Sequence, residues 1–367
     1  MKTTIQRVSL PDDRRILVIS DVHGHASGLR SVLEKAGFCE QDVLIIVGDL
    51  VEKGPESLEV IRLVMELCGR YTVYPLMGNV DLWRTEMLLS MDETLQMNLV
   101  RYSLKAKKWW GISFLEELCA EIGETVSENM DTQEVFARLR THFAAEFAFL
   151  SGLPTVLETQ NMLFVHGGIP HEQLDQLEGG DAYPLLKCDA FYHQGQHFSK
   201  YVVVGHWPVV LYSTGFPCAN PLIDRERRII CLDGGCGMKD DGQLNLLSIP
   251  DWRSEDFSWY TWDDLPVITA MEEQPASQES GYIHWGDHQV ELLEIRGDAA
   301  RIRHHGREME VPAEYVTEKE GQHFCNDTTD YCLPVSAGDR LSLIMEWPGH
   351  GCYVKKNGAS GWYKGNY

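Results

Sequence analysis

The chain has 367 residues and 44% hydrophobic side chains, enough apolar material for at least one sizeable core and too much for a disordered polymer. Its 55 acidic side chains outnumber 32 basic ones, giving a formal net charge of −23, so nucleic acid and anionic membrane surfaces are not expected partners. No stretch approaches the roughly 18–20 apolar residues that span a bilayer, and the opening residues lack the apolar core of a signal peptide, so a soluble, cytoplasmic protein is expected.

The first elements alternate strand and helix. Residues 16–20 form a short apolar run ending at Asp21, and Leu29, Val32, Leu33 and Ala36 then recur at helical spacing before Gly37. Residues 43–47 read as a second buried strand ending at Gly48 and Asp49. A helix opened by Pro55 follows, with Val60, Ile61, Val64 and Met65 inward, and a third strand at 72–77 runs into Gly78 and Asn79. Such a βαβαβ pattern places polar residues at the carboxyl ends of strands, where open α/β sheets bind ligands. Residues 82–150 turn helical and are expected to form an insert over the sheet. Strands return at 162–165, 201–204, 229–232 and 244–249.

The segment 272–281, EEQPASQESG, is polar and reads as a linker, which sets a catalytic domain at 1–271 and a tail at 282–367. The tail alternates short strands and turns in two weakly similar halves, ending in VPAEYV and GWYKGNY. Truncation after Met271 is expected to leave the catalytic domain working. The ten cysteines form no CxxC pair and are expected to be reduced.

Six residues stand just past predicted strands: Asp21, His23, Asp49, Asn79, His166 and His206. Carboxylate, imidazole and amide oxygen suit Mn²⁺, Fe or Zn²⁺, and no thiolate competes. A pair of ions needs one shared carboxylate. Asp49 can bridge, with Asp21 and His23 completing one site and Asn79, His166 and His206 the other.

This set, with the phrases GDLVEKGPES and LFVHGG, resembles the calcineurin-like metallophosphoesterases. Within them it is similar to the phosphoprotein-phosphatase branch, which includes symmetrical diadenosine-tetraphosphate hydrolases. The resemblance covers roughly residues 14–250. It implies a four-layer αββα sandwich with a dinuclear centre, and hydrolysis of a phosphate ester or anhydride by a metal-bound hydroxide. The implied partners are a phosphorylated small molecule, a nucleotide or a phosphoprotein.

Three departures bear on chemistry. Ser20 replaces the glycine of GDxHG. Glu52 and Lys53 stand where GDxxDRG has aspartate and arginine, so a bidentate phosphate grip becomes a point charge. Val80 and Asp81 follow Asn79 where the branch has GNHE, so the histidine that would protonate the leaving oxygen is missing. That loss favours phosphoanhydrides or esters with good leaving groups, because general-acid help is worth about 10²–10⁴ in rate to a poor one. His25 is a candidate substitute donor, Asp81 a candidate orienting residue, and Lys53 and Arg84 are candidate phosphate contacts. The tail resembles bacterial SH3-like barrels, which implies protein contacts or dimerisation. Two rivals remain: hydrolysis of dinucleoside polyphosphates or phosphodiesters, and a metal-binding scaffold that acts through its tail with little turnover.

Overall fold

The computed structural model describes residues 1–367, which divide into two compact units: Met1–Pro208 with Pro221–Asp263, and Val209–Asn220 with Asp264–Tyr367. In the first unit the expected strands form Ile16–Ile19, Val43–Ile46 and Thr72–Pro75, which pair parallel in one register. Leu244–Ile249 adds antiparallel beside Ile16–Ile19, and Ser258–Trp262 closes that five-stranded sheet. The second sheet runs in the order Ile5–Arg7, Val156–Glu158, Met162–Val165, Tyr201–Val204, Ile229–Cys231, Leu222–Asp224.

Alternation within each strand explains why residues 16–19 and 43–46 are wholly apolar. Ile16, Val18, Val43 and Ile45 meet Phe164, Val203 and Ile230 of the other sheet. Leu17, Ile19, Leu44 and Ile46 face the helices instead, among them Leu29, Val32, Val60 and Val64. A strand covered on both faces has no position for a polar side chain. The first unit is therefore a mixed α/β sandwich, although its second sheet is linked by short helical turns such as Tyr183–Leu186 rather than long helices.

The insert consists of five helices, Asn79–Leu89, Glu93–Trp110, Phe114–Glu121, Thr132–His142 and Ala144–Ser151. Phe114, Phe136, Phe143 and Phe147 are buried in the core shared with the five-stranded sheet. No helix of the structure is long and apolar enough to cross a membrane.

The second unit is all β. One antiparallel sheet is formed by Val267–Thr269, Arg340–Trp347, Gly351–Lys356 and Ala359–Tyr363; the other contains Arg307–Pro312, Ala299–His304, Gln289–Arg296, Gln322–Cys325 and Val316–Lys319. Leu333, Leu341, Val354 and Tyr363 fill the first core, and Ile283, Ile302, Met309 and Val311 fill the second. Ala299, Trp347, Tyr353 and Trp362 join the two sheets in a third cluster.

Two features depart from the expected organisation. Residues 272–281 are tied down: Gln274 Nε2 donates to Leu333 O and Trp362 O at 2.8 Å each, and Glu272 N to the Tyr363 hydroxyl. The segment Val209–Asn220, just after His206, also belongs to this unit. There Phe216 stacks on Tyr331, and Ala219 N donates to Gly358 O at 2.8 Å. A cut after Met271 would strip that segment of its packing partners.

Candidate metal centre

The fold brings together the donors that follow the carboxyl ends of five strands. Asp21, His23 and Asp49 are buried, with donor atoms within 4.8 Å of one another. His23 Nε2 lies 3.8 Å from Asp21 Oδ1 and 3.6 Å from Asp49 Oδ2. The other oxygen of Asp49 is 3.4 Å from His166 Nε2, itself 3.0 Å from Asn79 Oδ1. Asp49 thus presents one oxygen to each half of the cluster, as a shared ligand must. The His206 ring is 5.4 Å from that of His166, and its backbone N–H donates to Asp21 Oδ2 at 3.0 Å. Asp189 holds His206 Nε2 at 2.7 Å, so ligation by His206 would use Nδ1.

The surroundings fix these rings. His23 Nδ1 is 3.3 Å from Val51 O, and His166 Nδ1 is 2.8 Å from Val47 O. Each ring is thereby oriented with Nδ1 as donor and Nε2 turned to the cluster. Both Nε2 atoms then face oxygen acceptors, an arrangement that calls for positive charge between them. The electrostatics agree. Burial first, then Asp233, pushes the Asp21 carboxyl well up, and burial raises Asp233 to about 6. Burial would lower His166, but Asp49 and Asp21 outweigh it and raise it to about 10. Buried carboxylates under this pressure, beside imidazoles, form a donor set that fits divalent cations.

The loops are strained to make this possible. Asp21, His23, Asp49, Glu52, Lys53 and His206 all have φ between 46° and 67°, a region costly for residues with a Cβ. Close approach also demands glycine: a Cβ on Gly78 would overlap Asp49, and one on Gly205 would overlap Asp21 and Ser20. Ser20 Oγ donates to Asp21 Oδ2.

The remaining candidates fall into different places. Asp81 accepts from Leu50 N at 2.8 Å, Val51 N at 3.3 Å and Gly78 N at 3.0 Å, so it ties the Asp49 loop to the Asn79 helix. Burial, then Asp49, raises it to about 7. Val80 is buried, and its backbone N–H donates to Asp49 Oδ1 at 2.9 Å. Lys53 Nζ reaches 2.9 Å from His23 Nε2, a contact that a cation ligated by His23 would displace. His25 packs beside Trp262 with Nδ1 3.2 Å from Val22 O. Arg84 is not aimed at the donors. Its guanidinium pairs with Glu52 Oε1 at 2.7 Å and lies over the Tyr102 ring, and both partners of the ion pair are buried.

Sequence reasoning missed Asp189 as the partner of His206 and Glu52 as the partner of Arg84. The substitution of glutamate in the Glu52–Lys53 pair was a usable signal for the second. Asp189 carried none, since it depends on a loop crossing. Asp233 caps a turn, accepting from Gly235 N at 2.8 Å.

Comparison with known proteins agrees with this geometry. The family model described as calcineurin-like phosphoesterase matches residues 14–228. A symmetrical bis(5'-nucleosyl)-tetraphosphatase of Photorhabdus laumondii is 26% identical over 293 residues, spanning 68% of this chain and 98% of its own length. Serine/threonine-protein phosphatase 2 of Escherichia coli is 41% identical over 63 residues, 17% of this chain and 29% of that protein. Among solved structures, a serine/threonine phosphatase of Saccharomyces cerevisiae aligns with a TM-score of 0.43 and 13% identity, covering 72% of this chain and 85% of that one.

Proposed function

The chain belongs to the calcineurin-like phosphoesterase family, and on that premise we propose that it hydrolyses phosphoanhydrides, with dinucleoside polyphosphates as the leading substrate class. Val80 carries this reading. The position after Asn79 holds a buried apolar side chain and contributes only a backbone N–H, so no proton donor stands there for a departing alkoxide. A phosphate leaving group needs little such help. The tetraphosphatase relative, similar along nearly its whole length, supports the same substrate class.

The donor set, oxygen and imidazole without thiolate, favours Mn²⁺, with Fe or Zn²⁺ next. Two divalent cations held by Asp21, His23, Asp49, Asn79, His166 and His206 would supply Lewis acidity towards a phosphoryl oxygen and make water nucleophilic at neutral pH. The chain's own groups do the positioning. Asp81 locks the loops carrying Asp49 and Asn79, and the Glu52–Arg84 pair anchors the loop carrying Lys53. Lys53, displaced from His23, offers one ammonium to a phosphate oxygen. His25, the candidate substitute donor, packs beside Trp262 with its Nδ1 held at Val22 O, and we assign it no proton-donor role.

A phosphoprotein-phosphatase activity is the second reading, supported by the 63-residue likeness to the E. coli phosphatase. Mn²⁺-loaded protein assayed on diadenosine tetraphosphate, p-nitrophenyl phosphate, bis-p-nitrophenyl phosphate and a phosphoserine peptide separates the readings. The anhydride should give the highest kcat/KM and the phosphoserine peptide the lowest. A phosphopeptide rate equal to or above the anhydride rate would overturn the proposal, and no turnover on any substrate would favour a metal-binding scaffold.

A further inference from the structure

We propose that Asp287, His304 and His305 of the C-terminal unit form a separate divalent-cation site, suited to Zn²⁺ or a similar borderline metal. Their donor atoms all lie within 4.8 Å of one another. His304 Nε2 is 3.2 Å from Asp287 Oδ1, and His305 Nε2 is 2.9 Å from that oxygen and 2.8 Å from Oδ2. The two ring centroids are 4.1 Å apart, with the ring planes tilted by 55°. Ligands about 2.0–2.2 Å from a tetrahedral Zn²⁺ stand roughly 3.3–3.5 Å from one another, so a small opening of these contacts admits the ion. Two imidazoles and a single carboxylate favour Zn²⁺ over Mn²⁺ or Mg²⁺.

The backbone is arranged around this cluster. His304 ends the strand Ala299–His304 and pairs with Arg307, so His305 and Gly306 form a two-residue hairpin turn. Both have positive φ, 47° and 80°. Such a turn prefers asparagine, aspartate or glycine at its first position; histidine there accepts local strain and sets its imidazole against Asp287. Asp287 is itself held by a turn, its N–H donating to His284 O at 2.9 Å, and Trp285 N donates to Asp327 Oδ1 at 2.8 Å. The three side chains grade from buried to open, with His304 5%, Asp287 44% and His305 71% exposed. One ligand is thus fixed in the core, while the opposite side stays accessible to the ion and to water as a fourth ligand. None of these residues belongs to the catalytic donor set.

The test uses the full chain and counts metal. Wild type, Asp49→Asn, His305→Asn, Asp287→Ala and the Asp49→Asn/His305→Asn double variant are dialysed against a slight excess of Zn²⁺, then against metal-free buffer. Asparagine suits the left-handed turn position, so His305→Asn should melt in EDTA at or above the wild-type temperature. The account expects His305→Asn and Asp287→Ala each to lose one equivalent of Zn²⁺. The double variant should also hold one fewer than Asp49→Asn alone. Turnover of Mn²⁺-loaded His305→Asn on a chromogenic ester should match wild type. Zn²⁺ counts unchanged by either substitution would overturn the site and leave a hydrogen-bonded turn in its place.

Discussion

The two donor clusters in this chain rest on opposite kinds of backbone. In the catalytic unit, Asp21, Asp49 and Asn79 follow parallel strands that share one register, and four of the ligands, Asp21, His23, Asp49 and His206, have left-handed φ on loops packed against glycines. In the C-terminal unit, His304 and His305 lie at an antiparallel hairpin turn, and the pairing of Gln289–Arg296 with Ala299–His304 sets them beside Asp287. Parallel topology delivers ligands from distant sequence positions to one edge and buries them, which raises the cost of leaving their charge uncompensated. The hairpin gathers ligands that are close in sequence and leaves one side in water. A deeply buried site should bind cations tightly and fail completely when its shared ligand is lost; the open one should lose affinity in steps.

The largest expected effect therefore comes from Asp49→Asn. Removing the shared carboxylate should abolish cation retention by the catalytic unit and lower kcat/KM by at least about 10³-fold. Metal analysis and a chromogenic assay check this, and one retained catalytic cation with near-normal activity would place the bridge elsewhere. Lys53→Ala should act more mildly. Loss of one charge-assisted phosphate contact is worth about 1.5–3 kcal/mol, or about 10- to 100-fold in kcat/KM, with unchanged metal content and partial recovery in Lys53→Arg.

The smallest effect probes the scaffold below the centre. Asp42, buried just before Val43, accepts from Arg15 Nε at 2.9 Å, Arg15 Nη2 at 2.7 Å and Cys39 N at 2.9 Å. Burial alone would raise its pKa, but the Arg15 guanidinium and the Cys39 N–H outweigh it and hold it below the ordinary carboxylate range. A depressed folded pKa contributes stability above the unfolded value of about 3.9, which is lost as pH falls through the folded one. Asp42→Asn should cost about 2 kcal/mol at pH 7. The gap from wild type should shrink below about pH 4 in denaturant melts.

Much of the catalytic site was legible because its information is local. Strand ends, glycines and donors occupy short phrases such as GDLVEKGP and VHGG, and topology does the rest. What was not legible depends on distant partners. Asp189 reaches His206 across a loop, and Arg84 turned from a phosphate contact into the buried partner of Glu52. The hairpin cluster needed the register of His304 with Arg307, which alternation cannot supply. The segment 209–220 looked catalytic by position, yet its hydrogen bonds to Gly358 and Asn357 belong to the β unit. Composition gave 272–281 as a linker because its anchoring is made by Gln274 and backbone groups, which a polarity count reads as solvent-exposed.

The central claim, that Val80 leaves this site without a proton donor for the departing oxygen, is tested most directly by leaving-group dependence. In a series of aryl phosphates of rising phenol pKa, wild-type kcat/KM should fall steeply, because the leaving oxygen departs carrying nearly full charge. Val80→His, with metal content and melting temperature checked, should flatten that slope by accelerating the poorest leaving groups most. A shallow wild-type slope that Val80→His does not alter would show that the proton is already supplied by another residue, and the argument for phosphoanhydride substrates would fall with it.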